Sequence, residues 1–387
     1  MLNFTLHTPT KILFGEGQIA ELGKEIPADA RILITYGGGS VKHNGVLDQV
    51  YRALEGRNVR EFAGIEPNPT YETLMKAVEV VRAEKIDFLL AVGGGSVVDG
   101  TKFIAAAADY QAAQDPWHIL QTGGAEIDRG VALAAVLTLP ATGSESNNGA
   151  VITRKSTNDK LSFRSRHTQP LFAVLDPVVT YTLPARQIAN GVVDAFVHTV
   201  EQYLTYSVDA KVQDRFAEGL LLTLVEEGPR ALAEPENYKV RANVMWSATM
   251  ALNGLIGAGV PQDWSTHMLG HELTALHGLD HAQTLAIVLP AMLAARKAQK
   301  RDKLLQYAER VWNLRDGSED QRIDGAIAAT RDFFEKMGVP TRMSDYQLDG
   351  SSIPTLVTKL SEHGLTALGE HRDITLEESQ KIYEAAR

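Results

Sequence analysis

The run Phe88-Leu89-Leu90-Ala91-Val92 leads straight into Gly93-Gly94-Gly95-Ser96, and this junction limits the possible fold more than any other part of the chain. A strand with no polar alternation has no face to turn toward water, so it belongs inside a sheet covered on both sides. The glycines let the chain turn tightly into a helix, a step typical of parallel sheets. The same texture recurs from Arg31 to Asp176. RILITY precedes a helix at 46–53, a helix at 71–84 precedes DFLLAVGG, and a helix at 101–108 precedes ALAAVLTLPA and then LFAVLDP. This part reads as a doubly wound, Rossmann-like α/β domain with a mainly parallel sheet.

After Thr180 the periodicity becomes helical, at 184–204, 210–227, 240–252, 264–276 and 281–300, with little strand-like alternation. The expectation is an α/β dinucleotide-binding domain over 1–179 and an all-α domain over 180–387, with the ligand in the cleft between them. A loop and a last helix should close the chain after His363. A strand at 3–14 is suited to pairing with a second subunit.

At 387 residues, 44% hydrophobic and 22% charged, the chain can bury substantial cores. Its net charge of -10 is spread without long runs, which disfavours nucleic acid and anionic membrane as partners. There is no cysteine, so disulfides and thiolate metal sites are excluded. Residues 1–10 lack the features of a secretory leader, and the apolar runs 131–140 and 284–295 are too short to span a bilayer. These features lead to the expectation of a cytoplasmic protein.

Both glycine-rich turns, Tyr36-Gly37-Gly38-Gly39-Ser40 and Gly93-Gly94-Gly95-Ser96, follow an apolar strand. Backbone N–H groups there can approach a pyrophosphate closely, although neither turn is the G-x-G-x-x-G pattern. Asp99 and Lys102 fall one turn apart on the helix after the second, as a solvated ion pair or as ligand contacts. Residues 36–44 contain no Asp or Glu to bond an adenosine ribose, whereas Gly38, Gly39 and Ser40 offer donors with Lys42 nearby. That combination favours NADP(H) over NAD(H).

Asp194 and His198 stand at i, i+4 in GVVDAFVHTV, where an uncompensated carboxylate would be costly to bury. His267, His271, His277 and His281 follow, more imidazoles than a tetrahedral ion needs. A carboxylate with imidazoles suits Zn or Fe(II). Met268 occupies the place of the general-base Glu in a metalloprotease helix, so hydrolysis is disfavoured.

HTPTKILFGEG, GGGSVVDGTK, LPATGSESN, PARQIANGVVDAFVHTVEQYL and the histidine-rich segment before TLAIVLP together resemble the iron- or zinc-containing (type III) alcohol dehydrogenases over nearly the whole chain. Within that family the chain is most similar to NADPH-dependent aldehyde reductases and butanol dehydrogenases. The resemblance implies a dehydroquinate synthase-like architecture and a metal held by Asp194, His198, His267 and His281. The family often has His-Gly at the last ligand; here His281 precedes Ala282, and the His-Gly pair is His277-Gly278. The resemblance also implies that Gly94, Gly95, Ser96 and Asp99 contact the pyrophosphate and nearby ribose. Thr138, Thr142, Asn147, Gly149 and Lys160 should line the path to the nicotinamide.

The implied reaction reduces short-chain aldehydes to primary alcohols with NADP(H) and one divalent metal. The protein would position both, exclude water and supply a proton, with His271 as the candidate relay or ligand-orienting group. Family members are often dimers. Two alternatives share the fold, an NAD(H)-dependent butanol or glycerol dehydrogenase and a dehydroquinate synthase-like lyase. The lyase must grip a polyanion, yet residues 253–290 contain neither Lys nor Arg. A binding protein without catalysis is the remaining alternative, disfavoured by the intact ligand set beside an intact phosphate turn.

Overall fold

A computed structural model of the chain describes residues 1–110 and 115–387. It divides into two compact units, one of 7–183 with 235–249 and one of 1–6, 184–234 and 250–387.

The first unit is built on a six-stranded sheet, parallel throughout. Its strands are β1 (Lys11–Phe14), β2 (Arg31–Thr35), β3 (Asn58–Phe62), β4 (Phe88–Gly94), β5 (Ala132–Leu139) and, after an antiparallel hairpin of β6 (Gly149–Arg154) and β7 (Asp159–Arg164), β8 (Phe172–Leu175). The spatial order is β1-β8-β5-β4-β2-β3. Successive residues of the central strands enter different cores. Leu33, Leu89, Ala91, Leu133, Ala135 and Leu137 join the Tyr71–Ala83 and Gly95–Asp109 helices, whereas Ile32, Ile34, Leu90, Val92, Ala134 and Val136 join the Val46–Ala53 helix. Burying each Leu, Ile or Val among them contributes about 1.5–3 kcal/mol, which is why these strands carry no polar face.

The helices after β2 and after β4 thus cover opposite faces. The strand order reverses between these neighbours, so a topological switch point lies at their carboxyl ends, the usual ligand crevice of open α/β sheets. Both glycine turns stand there.

The second unit is helical, apart from a short hairpin of β9 (Ala367–Leu368) and β10 (Ile374–Thr375). Its long helices include Ala185–Tyr203, Lys211–Ala233, Ser265–His277, His281–Ala295 and Glu319–Lys336. Phe196 on the first of these packs against Trp312, Phe333 and Phe334. Its neighbours Asp194 and His198 lie on another side of the same helix.

The expected strand at 3–14 is shorter than its sequence suggests. Only Lys11–Phe14 pairs, with Phe172–Leu175, while Leu2 N–H donates to Gly259 O at 2.9 Å in the helical unit. The helix expected at 281–300 ends at Ala295.

Candidate functional site

Three helices bring the metal-type donors together. Asp194 and His198 project from one face of Ala185–Tyr203, His267 from the first turn of Ser265–His277, and His281 opens His281–Ala295. Asp280 makes the position of His281 definite. It forms a capping box with Gln283, whose Oε1 accepts Asp280 N–H at 2.9 Å, and its Oδ2 accepts from Asn190 at 2.8 Å. The start of the His281 helix is thereby tied to the helix carrying Asp194.

One donor atom from each of Asp194, His198, His267 and His281 lies within 4.8 Å of the others. Asp194 Oδ1 is 3.7 Å from His198 Nδ1 and 3.5 Å from His281 Nε2. The edge of a tetrahedron with metal bonds of about 2.0–2.1 Å is roughly 3.3 Å, so these separations fit one ion with little movement. Asp194, His198 and His267 are buried, and His281 is half-buried. Glu201 supplies a further feature of ligating imidazoles, a carboxylate against the ring nitrogen turned away from the cluster, here Nδ1 of His267.

His271 stands one turn beyond His267, its ring 5.4 Å from that of His281 and 6.2 Å from that of His267. His277 lies outside the group of four and bonds Ser352 through Nε2 at 2.9 Å. Trp264 caps the Ser265–His277 helix in the left-handed region, φ 62°, with its indole edge-on to His267 at 5.2 Å. Trp117 is buried beside Tyr71, and Trp246 is exposed beside Phe14, so the three tryptophans have separate settings.

The glycine turns differ in what they require. Gly39 has φ 105°, a conformation that favours glycine, and nothing lies within 4 Å of where a Cβ would stand on Gly38 or Gly39. Gly38 and Ser40 are exposed. At the second turn the constraint is packing, because a Cβ on Gly95 would lie 2.4 Å from Thr142 Oγ1. No side chain caps the Gly95–Asp109 helix, so its first N–H groups and dipole suit an anion. Ser96 is half-buried in its first turn, after Gly94. Thr138 sits at the irregularity where β5 passes Gly93 and Gly94.

The Asp99 and Lys102 pair is neither solvated nor a simple ion pair. Lys102 has no exposed surface, and its Nζ donates to Ser144 Oγ at 2.8 Å, Asn147 Oδ1 at 3.1 Å and Gly149 O at 2.7 Å. Asp99 accepts from Ser144 Oγ at 2.5 Å and from Val151 N–H at 2.9 Å. Loss of water pushes the Asp99 and Glu145 carboxyls up, and pulls the Lys102 ammonium down to about 8. Lys102 therefore shapes the 144–149 loop from below. Lys160, on β7, donates to Asn68 Oδ1 at 2.8 Å.

Sequence reasoning missed two carboxylates. Glu61 reaches the first glycine turn because β2 and β3 pair with Ile34 beside Glu61. It takes hydrogen bonds from Tyr36 at 2.5 Å and from Tyr51, with Lys42 Nζ at 3.2 Å. Glu201 left a readable signal, since it continues the Asp194, His198 series at i+7.

The sheet, its glycine turns and the carboxylate–imidazole cluster together define a metal-dependent dehydrogenase of the two-unit kind. The chain belongs to the iron-containing alcohol dehydrogenase family. The model of iron-containing alcohol dehydrogenase matches residues 9–177, and the C-terminal model of the Fe-containing alcohol dehydrogenase family matches 188–387. The chain is 73% identical to the NADPH-dependent aldehyde reductase YqhD of Escherichia coli over the full length of both. It is 38% identical to the NADP-dependent alcohol dehydrogenase 3 of Entamoeba histolytica, over 97% of this chain and 96% of that one. The crystal structure of E. coli YqhD superposes with a TM-score of 0.99, covering 100% of this chain and 99% of that one.

Proposed function

We propose that this chain is an NADPH-dependent aldehyde reductase that converts short-chain aldehydes to primary alcohols, with one divalent ion, Zn or Fe(II), held by Asp194, His198, His267 and His281. The observation that carries this reading is the four-residue donor cluster, in a chain 73% identical to an NADPH-dependent aldehyde reductase. When bound, the ion supplies Lewis acidity toward a carbonyl oxygen and the nicotinamide supplies hydride. Gly94, Gly95 and Ser96 would hold the pyrophosphate at the helix N-terminus. Thr138, Thr142, Asn147 and Gly149 would form the wall toward the nicotinamide, with Lys102 beneath it. Lys160 would line the same path, and Asp99 would contact the pyrophosphate and nearby ribose.

His271 is the group we assign to proton delivery at the product oxygen, on its position beside the His267 and His281 rings. His271→Ala should lower kcat about a hundredfold while metal content and the KM for NADPH stay near wild type. Unchanged kcat in a metal-loaded variant removes the role.

Preference for the 2'-phosphate rests on Gly38, Gly39 and Ser40 together with Lys42, because the nearby Glu61 is already engaged by Lys42 and two tyrosines. The expected result is a higher kcat/KM with NADPH than with NADH for butanal. Lys42→Ala should raise the KM for NADPH roughly tenfold, since it removes the cation beside the first glycine turn and leaves Glu61 to repel phosphate. An equal change for NADH sinks this assignment.

A cytoplasmic setting, with its supply of reduced NADP, suits a cysteine-free reductase. Among the described residues no helix is long and apolar enough to cross a membrane. A homodimer is supported by the edge position of β1 and the exposed Leu2, Phe4 and Leu6.

A further inference from the structure

Behind the four donors lies a charged cluster that metal ligation alone does not explain. Glu201 stands one turn beyond His198, and its side chain has no exposed surface. A buried carboxylate is costly unless both oxygens find donors. Here Oε1 accepts Thr266 N–H at 2.6 Å, and Oε2 meets His267 Nδ1. The backbones of the same two segments are joined, Asp263 N–H donating to Glu201 O at 3.0 Å. Asp263 is held in turn from its far side. Its Oδ2 lies 2.8 Å from Lys300 Nζ, an ammonium 1% exposed that also donates to Glu370 at 2.7 and 2.9 Å and to Leu204 O at 2.7 Å.

We infer that Glu201 is a positioning residue of the metal centre. It keeps the His267 hydrogen on Nδ1, so that Nε2 is the nitrogen turned to the ion, while Asp263, Lys300 and Glu370 clamp the segment on which the ring stands. The inference rests on the reading of Asp194, His198, His267 and His281 as ligands. It follows from counting donors and acceptors. Thr266 N–H can only donate, and a carboxylate can accept from it and from Nδ1–H together. Glutamine at 201 has one acceptor and one donor. If its oxygen stays on Thr266, its NH2 faces Nδ1, which must then accept, and the ring hydrogen moves to Nε2, where the ion binds. Aspartate keeps two acceptors on a shorter stem and reaches His267 less well.

The test is chelator competition for zinc on the wild type, Glu201→Gln, Glu201→Asp and, as a lost-ligand reference, Asp194→Asn. Visible absorption of the cobalt-loaded proteins and melting of the metal-free forms are read alongside. Glu201→Gln should bind zinc about 10–100-fold more weakly and shift the cobalt bands, with Glu201→Asp intermediate. Metal-free Glu201→Gln should melt within about 3 °C of the wild type, as expected for less than roughly 1 kcal/mol of lost stability.

Zinc affinity within twofold of wild type in Glu201→Gln overturns the inference. So does a metal-free variant that melts far below wild type, because the role would then be structural only. If Glu201→Gln does not fold, Glu201→Asp decides: weaker zinc binding supports the inference, and wild-type affinity overturns it. If Asp194→Asn binds zinc as tightly as the wild type, the ligand reading fails first and the Glu201 role falls with it. Loss in Asp194→Asn without loss in Glu201→Gln sinks Glu201 alone.

Discussion

His198→Ala should lower kcat/KM for butanal about a thousandfold or more, because polarising the carbonyl is worth several kcal/mol and each 1.36 kcal/mol is about tenfold in rate. Asp194 remains buried beside the gap, so the variant also carries a carboxylate with one fewer compensating donor. The KM for NADPH should change little, since the glycine turns belong to the other unit. Steady-state rates with metal analysis decide the point. A metal-depleted His198→Ala protein with wild-type turnover would remove the cluster from the chemistry.

Lys102→Met should destabilise the sheet unit by on the order of 3–5 kcal/mol, because it strands buried partners. Ser144, Asn147 and the Gly149 carbonyl lose a donor, and Asp99 and Glu145 lose the nearest positive charge. The melting temperature should fall by about 10 °C, at roughly 2–4 °C per kcal/mol. NADPH affinity should fall with it, since the 144–149 loop is no longer held.

The same lysine sets a pH dependence. Its pKa is pulled from the ordinary 10.5 to about 8 by burial. Between these values the unfolded chain keeps the proton and the folded chain has released it, so this group's contribution to stability rises with pH across that window. Below about 8 both states are protonated and the contribution is flat. The stability gap between wild type and Lys102→Met should therefore widen from pH 8 to pH 10 in thermal melts. A gap that narrows over that range contradicts the buried placement.

What the sequence revealed depended on how local each signal was. The strand Phe88–Gly94 and its turn were legible because burial on both faces leaves a run with no polar residue. Edge strand Asn58–Phe62, by contrast, is mostly exposed and reads as NVREF, so it gives no such run, and Glu61 was lost with it. Strand β7 was hidden for a similar reason, since DKLSFR is half charged. Asp194 and His198 announced themselves as an i, i+4 pair on an apolar helix. Glu201 shared their face, but its partner on His267 is 66 residues away and only tertiary structure supplies it. Lys102 was open between a solvated ion pair and a ligand contact for the same reason, since its acceptors lie 42 to 47 residues further on.

As proposed above, hydride transfer from NADPH here depends on an ion at Asp194, His198, His267 and His281. The most direct test of that dependence is the initial rate of NADPH oxidation with butanal, in protein stripped by a chelator and then reloaded with Zn or Fe(II), with NADH run in parallel. Activity should be lost on stripping and return on reloading, and NADH should be the poorer cofactor in the active states. Full turnover of NADPH by protein shown to hold no metal rules that dependence out.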